Sequence, residues 1–161
     1  MLAIRPARVE DRERIWAILE PVLRAGETYT LPRDISREDA LAYWYRADHD
    51  VFVAEEAENL LGTYYLRANQ GGGGSHVANC GYMTSRAEQG KGVARAMLEH
   101  SLARARTRGF RAMQFNCVIS TNERAIKTWR AYGFEVVGTL PGAFRHPERG
   151  FVDAFVMYKQ L

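Results

Sequence analysis

Cysteine is scarce: Cys80 and Cys117 are the only two in 161 residues, with no CxxC pair and no histidine pair nearby at metal-ligand spacing. That excludes a disulfide scaffold and a zinc site, and it leaves both residues as reduced, buried thiols. No apolar run approaches the roughly 20 residues a membrane span needs. Met1-Leu2-Ala3-Ile4-Arg5-Pro6 reaches charge and proline too soon for a secretory leader. A cytoplasmic protein that does not enter a membrane is the expectation. Charge of one sign is lacking too, since 22 Lys and Arg stand against 19 Asp and Glu, a formal +3 scattered along the chain. Such a balance favours a phosphate-bearing ligand over bulk nucleic-acid binding.

What is present is ordinary globular material, 47% hydrophobic and 25% charged. This is enough for one domain over residues 1–161 with its own core. A strand at Leu2 to Arg5 precedes a helix in which Ile15, Ile18, Leu19, Val22 and Leu23 recur at helical spacing, and Gly26 stops it. Ser36, with Asp39 three residues on, opens a second helix through Leu41 and Trp44. Val51 to Glu55 and Leu60 to Leu66 read as an antiparallel hairpin, and Asn69 to Ser75 as a glycine-rich loop. Val77 to Thr84 is a strand, Gly92 to Arg108 an amphipathic helix, Arg111 to Ile119 a strand, and Asn122 to Tyr132 a helix. Glu135 to Leu140 and Phe151 to Lys159 are the final strands. This order predicts an α+β fold with a mixed, mostly antiparallel seven-stranded sheet flanked by about four helices.

The segment between the third long strand and its helix carries the chemistry. Gln89-Gly90-Lys91-Gly92-Val93-Ala94 puts a run of unpaired amide N–H groups at a helix N-terminus, where the positive end of the dipole attracts an anion. Gly90 and Gly92 admit positive φ and close approach of an oxygen, and Lys91 adds a cation; a pyrophosphate fits. The same glycines also suit a plain tight turn. Neither of two better-known phosphate loops matches: Lys91 is followed by Gly92 rather than Ser or Thr, and the third glycine of GxGxxG is replaced by Arg95.

These residues resemble the GNAT superfamily of N-acetyltransferases. Its signature Gln/Arg-x-x-Gly-x-Gly/Ala is met by Ala87-Glu88-Gln89-Gly90-Lys91-Gly92 except at Ala87, and its second element, Asn-x-x-Ala followed by Gly-Phe, by Asn122-Glu123-Arg124-Ala125 and Gly133-Phe134. The resemblance spans Ile4 to Tyr158 and implies acetyl-CoA as cofactor and an N-acetyltransferase activity. It also implies that pantetheine pairs with the backbone of Tyr82, Met83 and Thr84, and that the pyrophosphate lies on Gln89 to Ala94. Asn122, Lys127 and Arg130 would then lie near the far side of the cofactor, with Trp129 also against it. The last two strands of such folds often build dimers, so a homodimer is implied as well.

Acyl transfer from a thioester needs a neutral amine, donors for the developing oxyanion and a route for the departing thiolate. A backbone N–H around Met83 is the expected oxyanion donor. Many family members place a tyrosine seven residues after the motif asparagine; this chain has Trp129 there. A thiol pKa of about 8.5 makes the thiolate only about 2 kcal/mol unfavourable at pH 7, so water can substitute for the phenol. Tyr132, one turn on, is a candidate replacement. Asn116 is a candidate catalytic and substrate-facing group, because a strand amide among apolar neighbours is costly unless paired. Asn79 shares a face with Gly81 and Met83 and is a second. Cys80 has no base beside it, which favours direct transfer.

Glu27, Thr28 and Tyr29 occupy the place where family members build the acceptor pocket, and a short aromatic and polar loop suits a small molecule. Asn116, Asn122 and Trp129 resemble more specifically fungal enzymes acetylating azetidine-2-carboxylate, which implies an amino or imino acid as the amine substrate. Phosphinothricin-type acetylation, acetylation of protein N-termini, and a non-catalytic acetyl-CoA-binding regulatory module are the alternatives. No metal and no nucleic acid are expected.

Overall fold

A computed structural model describes residues 1–161. It contains β1 (Ala3–Pro6), α1 (Arg12–Ala25), α2 (Arg37–Trp44), β2 (Asp50–Glu56), β3 (Asn59–Ala68), β4 (Val77–Thr84), α3 (Val93–Thr107), β5 (Ala112–Ile119), α4 (Glu123–Ala131), β6 (Glu135–His146) and β7 (Gly150–Gln160). The seven strands make one sheet in the order β1-β2-β3-β4-β5-β7-β6. Every pairing is antiparallel except that of β4 with β5. This is the expected α+β arrangement. No helix is long and apolar enough to cross a membrane.

Local chemistry sets the element ends. Ile15, Ile18, Leu19 and Leu23 recur on one side of α1 and are buried, and Gly26 closes the helix at φ 67°, its N–H reaching Val22 O. Ser36 Oγ accepts from Asp39 N at 3.0 Å and so satisfies one orphan donor of α2. The glycine run folds into a 3-10 turn at Gly72–Gly74.

Strand alternation divides the interior into two cores. Tyr64, Leu66, Ala78, Cys80, Met113 and Phe115 turn toward α3, while Val53, Tyr65 and Met83 turn toward α1 and α2. On the second side Trp44 is fully buried, and its indole N–H still finds Thr63 Oγ1 at 3.0 Å. Arg5 ties β1 to α1 and β2: its guanidinium forks onto Asp11 at 2.8 and 3.0 Å and onto Glu55 at 2.9 Å.

The final hairpin departs from expectation. Phe144, Arg145 and His146 belong to β6 rather than to a loop, and only residues 147–149 turn the chain. The pairing shifts between Leu140 and Phe144, because Pro141 has no N–H to give and Gly142 N turns to Asp153 Oδ1 at 2.9 Å. The pattern breaks there while the strand continues.

Candidate active site

β4 and β5 begin side by side and then part. Their parallel pairing is confined to Val77 with Ala112 and Ala78 with Met113, so Asn79 to Thr84 and Gln114 onward diverge as a wedge. Backbone direction decides what β4 offers to this opening. Asn69 N donates to Val77 O and Ser85 N to Leu61 O, both across to β3 at 2.8 Å. By alternation the backbone groups of Asn79, Gly81 and Met83 also point to β3, and those of Cys80, Tyr82 and Thr84 point into the wedge. Met83 therefore does not supply the expected donor. Its N–H is turned to the ladder and its buried side chain lies under α1 and α2, so the donors on either side of it that face the opening are Tyr82 N–H and Thr84 N–H.

Beyond Thr84 the chain makes a 3-10 turn at Arg86–Glu88 and reaches Gly90 at φ 80° and Gly92 at φ 86°, values that favour glycine. The first bonded amide of α3 is that of Ala96, to Gly92 O at 3.0 Å, which leaves the N–H groups of Val93, Ala94 and Arg95 without a backbone partner. An added Cβ at Gly92 would meet nothing within 4 Å, and one at Gly90 only the Arg124 guanidinium of α4 at 3.9 Å. Gln89 and Lys91 are exposed beside these amides, with Lys91 Nζ 3.5 Å from Glu88. Open space, free donors and two nearby cations fit an anionic group such as a pyrophosphate.

On the α3 and α4 side the wedge is walled by rings. Trp129 is half-buried, its ring 5.3 Å from that of Tyr82 and 5.0 Å from Phe115, which stacks on Phe134 at 4.4 Å. The Tyr82 hydroxyl is bound to Ser101 Oγ at 2.6 Å, so this residue faces the opening with its backbone alone. Asn122 caps α4, accepting from Ala125 N at 3.4 Å, and Lys127 is exposed one turn on. Tyr132 does not join them: its hydroxyl pairs with Glu99 on the outer surface of α3, which raises its pKa, so it is not the expected replacement phenol. Burial pushes the Cys80 thiol up to about 12, so no thiolate is available there.

On the opposite face, the one beneath α1 and α2, the border of the wedge is polar. Tyr29 reaches from the loop after α1 and donates to Tyr82 O at 2.8 Å; Thr28 is half-buried beside it, and Glu27 is exposed. Asn79 is buried and bridges the base of the wedge, donating to Gln114 O at 2.9 Å. Asn116 is exposed rather than enclosed among apolar groups, but it is paired: Gln114 Nε2 donates to its Oδ1 at 2.9 Å, and its Nδ2 donates to Asn69 Oδ1 at 2.7 Å. Sequence reasoning missed Asn69, Gln114 and Arg67, which lie on this same face. Arg67 follows Tyr65 by two in a strand of apolar neighbours, and that alternation was the signal for it. A surface hollow of about 400 Å³ lined by His76, Phe110, Arg111 and Tyr158 lies at the other end of β5, where the strands are still paired.

Comparison with known proteins agrees with this geometry. Residues 13–134 match the model of the acetyltransferase (GNAT) family. A solved GCN5-related N-acetyltransferase from Kribbella flavida is 36% identical, covers 99% of this chain and 98% of its own, and superposes with a TM-score of 0.95. N-acetyltransferase aca1 of Schizosaccharomyces pombe is 27% identical over 83% of this chain and 72% of its own length. A phosphinothricin acetyltransferase from Sinorhizobium meliloti, solved in complex with acetyl-CoA, shares the fold at a TM-score of 0.86 and 21% identity, over 99% of this chain and 88% of its own.

Proposed function

The chain belongs to the GNAT family and is an acetyl-CoA-dependent N-acetyltransferase, and from that premise we propose that its acceptor is the amine of a small amino or imino acid. One domain, residues 1–161, carries the whole site. The observation that carries the reading is the amide cluster of Asn79, Gln114, Asn116 and Asn69, bordering the wedge on the face where the Tyr29 loop closes in. Neutral donors and acceptors of this density suit a small polar molecule held at several atoms.

When bound, acetyl-CoA supplies a thioester whose acyl carbon is open to an amine. In this reading the free amides of Val93, Ala94 and Arg95, with Gln89, Gly90, Lys91 and Gly92, hold the pyrophosphate. Tyr82 N–H and Thr84 N–H aim at the place where negative charge develops on an acyl oxygen; one such positioned donor is worth roughly 3 kcal/mol of barrier. Thr84 O is free to accept from pantetheine, whereas Tyr82 O is held by Tyr29. Trp129 excludes water from the thioester without offering it a proton, and Asn122 and Lys127 border the cofactor's far side. Tyr29, Thr28 and Glu27 flank the acceptor, while Asn79 and Asn116 orient it.

The test is thiol release from acetyl-CoA with a panel of amino acids, imino acids, phosphinothricin and short peptides. Amino or imino acids are expected to be acetylated, and Asn116→Ala to raise their KM. Turnover of peptides alone would overturn the small-molecule reading. Tight acetyl-CoA binding without turnover of any amine would point to a regulatory module.

A further inference from the structure

Arg67 has no carboxylate partner. Arg5, Arg14, Arg24, Arg37, Arg46, Arg104 and Arg108 pair with an acid; of the arginines that do not, Arg67 alone has a buried side-chain nitrogen without a hydrogen bond. Its Nε is buried and unbonded, and its one hydrogen bond is a 3.5 Å contact with the adjoining Ala68 O. A guanidinium partly withdrawn from water costs stability unless an anion or several acceptors meet it. On this face it meets neutral groups: Asn79 directly across the ladder, Tyr65 two residues before it and Asn69 two residues after it. Asn69 in turn accepts from Asn116.

We propose that Arg67 receives the carboxylate of the acceptor, with Asn79 and the Asn69–Asn116 pair framing it and the amine turned toward the Tyr82 end of β4. This rests on the amino- or imino-acid reading above and gives it a determinant of specificity. The cofactor's phosphates are a less suitable partner. Asn79, opposite Arg67, stands five residues before Thr84, so about 17 Å of strand separates this point from the mouth where the α3 amides lie. The planar fork of an arginine also matches a carboxylate's two oxygens.

The test compares each accepted amino acid with its amide, which keeps the amine and removes the charge. Wild type should prefer the acids. Arg67→Gln should lower kcat/KM for acids by about 10- to 100-fold, mainly through KM, while leaving the amides and the Kd of acetyl-CoA unchanged. Arg67→Lys should recover part of the loss, which guards against a folding defect in the glutamine variant. Calorimetric binding of an N-acetyl amino acid to the cofactor-free protein should weaken in parallel. The proposal is overturned if acids and amides lose equally, if neither changes, or if acetyl-CoA binding falls instead. Turnover restricted to amines without a carboxylate would overturn the acceptor reading, and the role of Arg67 with it.

Discussion

Gly81 sits on β4 one pleat from the wedge, and replacing it with alanine tests whether the acceptor face is packed as described. The added Cβ would lie 2.4 Å from Tyr65 Cε2, 2.7 Å from its Cζ and 2.8 Å from its hydroxyl, all below the 3.0 Å that real Cβ contacts respect. Tyr65 cannot swing away. Its ring is edge-on to Trp44 at 5.0 Å and stacked on His49 at 4.1 Å, and its hydroxyl is 3.1 Å from that of Tyr43. An overlap this deep with a pinned ring falls in the upper part of the overpacking range, about 2–3 kcal/mol, and alanine in a strand recovers about 0.5–1 kcal/mol of that relative to glycine, for a net loss of about 1–2.5 kcal/mol. In a domain of this size that lowers Tm by about 2–10 °C. Scanning calorimetry reads the shift, and the double-mutant cycle locates it: in a Tyr65→Ala background the methyl group has room, so its cost should vanish. Acceptor KM should rise in Gly81→Ala while acetyl-CoA Kd stays the same. An unchanged Tm, or an equal loss with Tyr65 already truncated, would refute the reasoning.

Gly92→Ala forces a non-glycine residue to φ 86° with no steric neighbour, so its cost is conformational, about 1–2 kcal/mol. Calorimetric titration should show weakened acetyl-CoA binding. Tyr132→Phe should leave kcat unchanged in steady-state assays, because the hydroxyl it removes is bound to Glu99 outside the wedge. Asp11 is held down to about 2 by the hydrogen bonds of Arg5, then by Arg8 N–H and Arg14, against the opposing effect of burial. Its folded pKa is depressed, so its stabilisation is complete above the ordinary carboxyl value near 4 and disappears as pH falls toward 2. Allowing for solvent screening around Arg14, which is 45% exposed, it is worth about 1–2 kcal/mol. Urea unfolding of Asp11→Asn against wild type should show that gap at pH 7 and lose most of it by pH 2.

Much of the fold was legible because its signals are local. Helical spacing from Ile15 to Leu23, the Ser36 cap and the glycines at 90 and 92 each act within a turn or two of themselves. Alternation likewise put Asn79, Gly81 and Met83 on one face from the chain alone. What stayed hidden depends on partners far away in sequence. Whether Met83 or Tyr82 aims its N–H at the wedge is set by which parity β3 consumes, and only the register of Leu61 with Ser85 reveals it. Tyr132 is taken up by Glu99, 33 residues upstream, and the amide that holds Asn116 in place is that of Asn69, 47 upstream. Arg67 went unread, because the burial of its unbonded Nε depends on β4 lying across from it. The extension of β6 past Pro141 was hidden for a different reason: a bulge absorbs the proline, so a residue that ends most strands only shifts the pairing here.

The parting of β4 and β5 also creates a hazard. Two strands in the middle of a sheet are left with unsatisfied backbone groups, the kind of edge onto which a stray segment from another molecule can add. Here the two edges diverge, so an intruding strand in register with one would be drawn away from the other. The Tyr29 phenol already occupies one carbonyl of β4, and the Asn79 amide already occupies one of β5. The enzyme can thus keep a gap in its own sheet without inviting self-association through it.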